Sequence, residues 1–202
     1  MNTLGDIAAS MNKVLLKRGF PTHSDDDYRI KIGWGIKRLA YLSLPEDARN
    51  DALAAELGEE AAAFYASSPL VFSRPYPGMA DLVAELRRRK IKTACLTNKP
   101  DSVTGLVLNG LFPPGSFDLF QGEVKGKPRK PDPACVWDFL VELDLRPSDV
   151  IFAGDSEIDM ECAAASGCFP LGVSWGFRDR DLIERAGARL IIDHPAEILE
   201  LL

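Results

Sequence analysis

The sequence predicts an α/β protein, a Rossmann-like parallel sheet flanked by helices and carrying an all-helical unit at its N-terminal end. Three observations predict it. Over residues 4–73 the apolar residues recur at helical spacing. A Pro/Gly-rich junction follows at 74–78, and beyond it short apolar runs of buried-strand length alternate with amphipathic helical segments. Repeated strand–helix units of this kind imply parallel strands joined by crossover helices, wound on both faces of one sheet.

The elements follow in order. Leu4, Ile7, Met11, Val14 and Leu15 mark one face of a first helix, and Gly19 supplies its stop. Ser24 followed by Asp25, Asp26 and Asp27 has the form of an N-cap with acidic residues in the first turn. Pro45 can open a further helix leading into an Ala-rich stretch that ends at Ala66. Residues 1–73 are therefore assigned to a helical cap and 74–202 to the α/β core. In the core a helix is expected over 78–89, with Met79, Leu82, Val83 and Leu86 inward, and another over 132–143, with Val136, Phe139, Leu140 and Leu143 inward. Strands are expected at 91–96, 150–153, 169–173 and 190–192, with a weaker one at 117–120.

Composition narrows the class. The 202 residues are 46% hydrophobic, enough for one full core and a small accessory domain. With 24 basic against 30 acidic side chains the net charge is −6, which argues against general affinity for nucleic acid or an anionic membrane. No apolar stretch approaches the roughly 20 residues of a membrane span, and no basic segment precedes an apolar one at the start, so the cytoplasm is the expected compartment. Cys95, Cys135, Cys162 and Cys168 fall in apolar segments without metal-type spacing and read as reduced core thiols. His23 and His194 lie in polar surroundings and are expected at the surface.

Ligands of such sheets bind beyond the carboxyl ends of the strands, so the polar residues ending each apolar run are the candidates. The run IKTACL ends in Thr97, Asn98 and Lys99, whose hydroxyl, amide and helix-start N–H groups suit phosphate oxygens; as isolated residues Thr and Asn are equally ordinary N-caps. Lys130, in RKPDP, is one cation between restricted backbone segments. GDSEIDM follows the run VIFA directly, placing Asp155 at the strand end and Asp159 one helical turn on, on the same face. Magnesium favours oxygen ligands and takes few protein carboxylates, so one aspartate can bind the ion while the other binds or orients it.

Thr-Asn, then Lys-Pro, then Gly-Asp-Ser-x-x-Asp, in that order along a parallel sheet, resembles the second, third and fourth motifs of haloacid-dehalogenase-type phosphatases. The resemblance runs over essentially all of the chain. TLGDIAASMNKVLLKRGF is similar to the helix after the first motif in the phosphoglycolate phosphatase group, and IGWGIKRL to that group's cap-loop segment. The resemblance implies that Thr97 and Asn98 hold the transferring phosphoryl group, that Lys130 neutralises it, and that Asp155 ligates Mg2+ with Asp159 in support. The glycines of GWGIKR suggest a tight cap loop that reaches the core when closed, which adds Gly33, Lys37 and Arg38 to the substrate-binding set; Trp34 is expected to fill the cap core. The partner is a small phosphorylated metabolite, and the protein a monomer or homodimer.

The same family begins its reaction with Asp-x-Asp-Gly-Thr at the end of a first, central strand, and that motif does not occur in this sequence. Asp6 lies within the first helical segment and is not taken as a nucleophile. The expectation is a core whose central strand is missing, an inactive chain as given, and a Mg2+-dependent phosphomonoesterase in complete form. Other readings are a sugar phosphomutase or pyrophosphatase on the same scaffold, or a non-catalytic phosphate-binding protein.

Overall fold

Four helices, α1 (Leu4–Lys17), α2 (Asp25–Lys31), α3 (Ile36–Ser43) and α4 (Asp51–Ser67), form the helical unit in a computed structural model that describes all 202 residues. Their apolar faces meet in one core, in which Met11, Val14, Leu15, Tyr28, Ala40 and Leu57 are fully enclosed. The start of α2 is a reciprocal capping box: Ser24 Oγ accepts from Asp27 N–H (3.2 Å), and the Asp27 carboxylate accepts from Ser24 N–H (3.0 Å). Pro45 opens only a short 3₁₀ turn, Glu46–Ala48. The long helix starts later because the Asn50 side chain caps the Leu53 N–H at 2.8 Å.

The remaining elements are α5 (Met79–Arg88), β1 (Ala94–Pro100), α6 (Asp101–Leu111), β2 (Leu119–Glu123), α7 (Ala134–Glu142), β3 (Ile151–Gly154), α8 (Glu157–Ser166), β4 (Phe169–Val173), α9 (Arg180–Arg185) and β5 (Leu190–Ile192). This is the expected alternation, and every strand pair is parallel. Strand β1 is displaced from its expected position. The Thr93 N–H is taken by the Asp118 carboxylate (2.7 Å), and the extended backbone continues through Thr97–Asn98–Lys99, with a register shift before Pro100 pairs with Glu123. Helix α7 begins late because Asp132, between two prolines, caps the Ala134 N–H at 2.9 Å.

Where one sheet is expected the structure has two, β1–β2 and β3–β4–β5. Strands β1 and β3 face each other without hydrogen bonding, across a cavity of about 830 Å³. Residues 93–100 line one side and 150–155 the other; α5 (Leu82, Val83, Leu86) and α7 (Val136, Phe139, Leu140) close it above and below, and Met1 also lines it. Two backbone edges are thus left open to an apolar slot in the plane of the sheet.

The two chain crossings between the helical unit and the core run side by side. Asn2 and Arg74 form an antiparallel bridge with N–H···O distances of 2.9 and 3.0 Å. Asp6, 2% exposed, braces it: its carboxylate accepts from Ser73 N–H (2.7 Å), Ser73 Oγ–H (2.6 Å) and Phe72 N–H. Asp6 is a structural clasp in α1, its carboxylate taken up by these three donors. All four cysteines are free thiols, as expected, three of them fully buried. His23 is an exception to the expected surface placement. It is half-buried, with its ring hydrogen-bonded to the Ser43 carbonyl (2.7 Å) and its backbone to Asn12, and it ties α1 to α3. Trp34 does not fill the cap core. That core is complete without it, and Trp34 stands 38% exposed in a turn between Gly33 (φ +116°) and Gly35 (φ +83°), conformations that favour glycine. No helix is long and apolar enough to cross a membrane.

Candidate active site

The carboxyl end of β1 supplies Thr97 and Asn98, the end of β3 runs into Asp155, the first turn of α8 supplies Asp159, and the loop before α7 supplies Lys130; all five line the one cavity. Gly33 of the helical unit reaches the same cavity. Lys37 and Arg38 do not. Lys37 is exposed and pairs with Asp51 at 3.2 Å, and Arg38 lies over the Tyr41 ring and lines a separate outer cleft. They are one and two residues into α3, where helical rotation carries them off the side that Gly33 presents to the core.

At the centre is a buried ion pair. Lys130 Nζ lies 2.6 Å from Asp159 Oδ1, with side-chain exposures of 13% and 7%. The other Asp159 oxygen accepts from Ser156 Oγ–H (2.6 Å) and from Asp155 N–H (3.2 Å). Burial disfavours charge on both partners, but each outweighs it for the other: Lys130 stands above its ordinary pKa, and Asp159 below its own. Gly154 makes this approach possible, because a Cβ there would fall 2.2 Å from Asp159 Cβ. Asp159 therefore has no oxygen without a protein donor.

Asp155 is different. One oxygen, Oδ2, accepts from Phe177 N–H at 2.7 Å, and Oδ1 has no partner. Burial, followed by the like charge of Asp159, pushes its pKa up, so the site holds a carboxylate without a matching cation. A hard dication that keeps waters and a phosphate oxygen in its shell fits this donor set through Asp155, with Asp159 acting through Lys130 and Ser156. No cluster of three acidic, His or Cys side chains exists here to hold a metal by protein ligands alone.

Asn98, 6% exposed, donates both amide hydrogens to carbonyls, those of Gly33 and Lys130, each at 2.9 Å; its Oδ1 is buried without a donor. In this arrangement Asn98 joins the cap turn, the Lys130 loop and β1, and both of its side-chain amide hydrogens are engaged. Thr97 keeps a hydroxyl hydrogen free, its oxygen accepting from Lys99 N–H at 3.2 Å.

Sequence reasoning did not single out Ser156 or Arg178. Arg178 follows the polar turn after β4, a strand end of the same kind as those that supply Thr97, Asn98 and Asp155. Nor did it foresee the state of Lys99, whose ammonium is turned inward to Tyr65 OH (2.7 Å) and Thr3 Oγ1 (3.2 Å), with no carboxylate partner. Desolvation pulls its pKa down to about 7, from 10.5. The folded chain then binds fewer protons than the unfolded one between these values, so this group's destabilising effect is full below pH 7 and vanishes toward pH 10.5. Lys99→Met is expected to gain most stability over the parent near pH 7. The gain should shrink by about 1.4 kcal/mol per pH unit above that. Paired urea titrations at pH 6 to 9 check it, and a constant difference would show that Lys99 titrates normally.

Comparison with known proteins places this geometry. Residues 1–173 match the family described as haloacid dehalogenase-like hydrolase. The phosphoglycolate phosphatase of Pectobacterium atrosepticum is 28% identical over 97% of this chain and 85% of its own. The N-acetylmuramic acid 6-phosphate phosphatase of Pseudomonas putida is 27% identical over 100% of this chain and 91% of its own. Among solved structures, a predicted phosphoglycolate phosphatase from Haemophilus somnus superposes with a TM-score of 0.88 at 25% identity, covering 99% of this chain and 92% of that one.

Proposed function

We propose that this chain, which belongs to the haloacid dehalogenase-like hydrolase family, carries the phosphate-binding and magnesium-binding part of a phosphatase site for a small phosphomonoester, with phosphoglycolate as the substrate. The observation that carries the reading is the pairing, at one cavity mouth, of a fixed Lys130–Asp159 couple with the unmatched carboxylate of Asp155. The phosphatase relatives, two of them named for small phosphorylated substrates, support it.

In this reading the Lys130 ammonium, held by Asp159, faces the phosphoryl oxygens, and the Thr97 hydroxyl donates to one of them. Asn98 acts through position. It fixes the Lys130 backbone and the Gly33 turn relative to β1, so that the turn closes over the phosphoryl site. When bound, magnesium would supply charge neutralisation at the phosphoryl group and would be held by Asp155. The attacking carboxylate of an aspartyl-phosphate mechanism belongs to the Asp-x-Asp-Gly-Thr motif, which these 202 residues do not contain.

The protein as given is accordingly expected not to hydrolyse phosphoglycolate or an aryl phosphate above background with magnesium present, since loss of a nucleophile commonly removes about 10⁴–10⁶ in rate. Clear turnover that Asp155→Ala abolishes would sink this expectation and force a search for a replacement nucleophile among the residues lining the cavity. The absent motif also favours one other reading, a non-catalytic phosphate-binding protein. That reading requires phosphate to bind the chain as given and no added strand to produce turnover.

A further inference from the structure

The loop after β4 sends one buried guanidinium into the underside of the helical unit. Arg178, 9% exposed, donates from Nη1 to the Arg29 carbonyl (2.6 Å) and from Nη2 to the Ile32 carbonyl (2.7 Å), while its Nε lies 3.2 Å from the Glu157 carboxylate. Arg29 and Ile32 belong to the last turn and cap of α2, where carbonyls have no partner within the helix. A planar fork satisfies two of them at once, which a single ammonium does poorly. The exchange is reciprocal, because Arg29 Nε donates back to the Phe177 carbonyl at 3.0 Å.

We propose, on the phosphatase reading above, that Arg178 is a positioning residue that latches the cap turn onto the active site. Three observations converge on it. Ile32, which it holds, precedes Gly33, whose carbonyl accepts from Asn98, so the latch sets the turn that meets β1. Phe177, its chain neighbour, holds Asp155 through its N–H and Arg29 through its carbonyl; one peptide step therefore joins the candidate metal ligand to α2. Finally, Phe177 and Arg178 belong to the walls of both the inner cavity and an outer cleft of about 810 Å³.

The outer cleft also carries the partly exposed Trp34 ring, with Arg29, Arg38 and Arg178 balanced by Asp26, Glu157 and Asp179, so it has no net preference for an anion.

Hydrogen exchange read by mass spectrometry on the full chain tests the latch without needing turnover. Arg178→Met is expected to speed exchange of the amides in residues 29–35 on the order of tenfold or more, with α8 and β4 unchanged. Arg178→Lys, which can still reach one carbonyl, should recover part of the protection, and Arg29→Met, which removes one of the linking bonds, should lose less than Arg178→Met. Unchanged exchange at 29–35, or acceleration spread evenly over core and helical unit, would overturn the proposal. Turnover in a strand-extended protein tests the phosphatase reading separately, so the latch and that reading can fail independently.

Discussion

An N-terminal extension of five or six apolar residues followed by Asp-x-Asp-Gly-Thr is expected to raise stability and create magnesium-dependent phosphatase activity together. The slot between β1 and β3 is lined by apolar side chains from both helical layers, and its two facing strand edges have no partner there. Met1 lines the same slot, so residues placed ahead of it enter directly. A strand of that length spans about 20 Å, and each buried backbone group it pairs is relieved of about 1–3 kcal/mol. For a chain of this size a few such groups correspond to a melting temperature higher by roughly 10 °C or more. The carboxyl end of the strand would deliver two carboxylates opposite Asp155, one to attack phosphorus and one to share the metal. Three proteins decide it: the chain as given, the extended chain, and the extended chain with the first motif aspartate changed to asparagine. The third should melt with the second and turn over like the first. An unchanged melting temperature on extension would show that the slot takes no strand.

Lys130→Ala is expected to cost about 3–5 kcal/mol of stability, because it leaves Asp159 charged and enclosed with only Ser156 and a backbone N–H for company. Asp159→Leu should cost a similar amount for the converse reason. Replacing both, as Lys130→Met with Asp159→Leu, should recover most of that loss, since apolar pairs of similar volume often substitute for buried ion pairs without net destabilisation. Phosphate binding should not return with the fold. A double-mutant cycle by chemical denaturation, run beside phosphate titration of each protein, measures both. Additive single losses would mean that the two groups do not interact as their 2.6 Å separation requires.

Much of this was legible in the order of residues. Buried parallel strands must be continuous apolar runs, so 169–173 and 190–192 were readable to the residue as Phe169–Val173 and Leu190–Ile192. The convergence of Thr97, Asn98, Lys130, Asp155 and Asp159 followed from the topology, because parallel strands put their carboxyl ends on one edge. What pattern does not contain is competition for donors and acceptors. Asn98 was read as a phosphate donor, yet two carbonyls from distant segments take its hydrogens. Strand β1 was placed three residues early because the Asp118 side chain, not a neighbouring strand, takes the Thr93 N–H. Lys37 and Arg38 are drawn toward the site by their nearness to Gly33, but helical rotation directs them elsewhere.

The bridge between Asn2 and Arg74, braced by Asp6, makes the helical unit a closed loop whose two ends meet at one point. A segment held this way adds almost nothing to the spacing of the scaffold beneath it. Its length and contents can change while the scaffold keeps its register, and the entropy of closing the loop grows only as the logarithm of its length. The cap is in that sense an interchangeable part. A graft joining residue 2 to residue 74 through a short turn would keep the seam but remove the Gly33 acceptor of Asn98 and the Thr3 and Tyr65 partners of Lys99, so any replacement segment must supply those contacts again. Selectivity among leaving groups then becomes a property that can evolve at the seam without disturbing the residues that meet phosphorus.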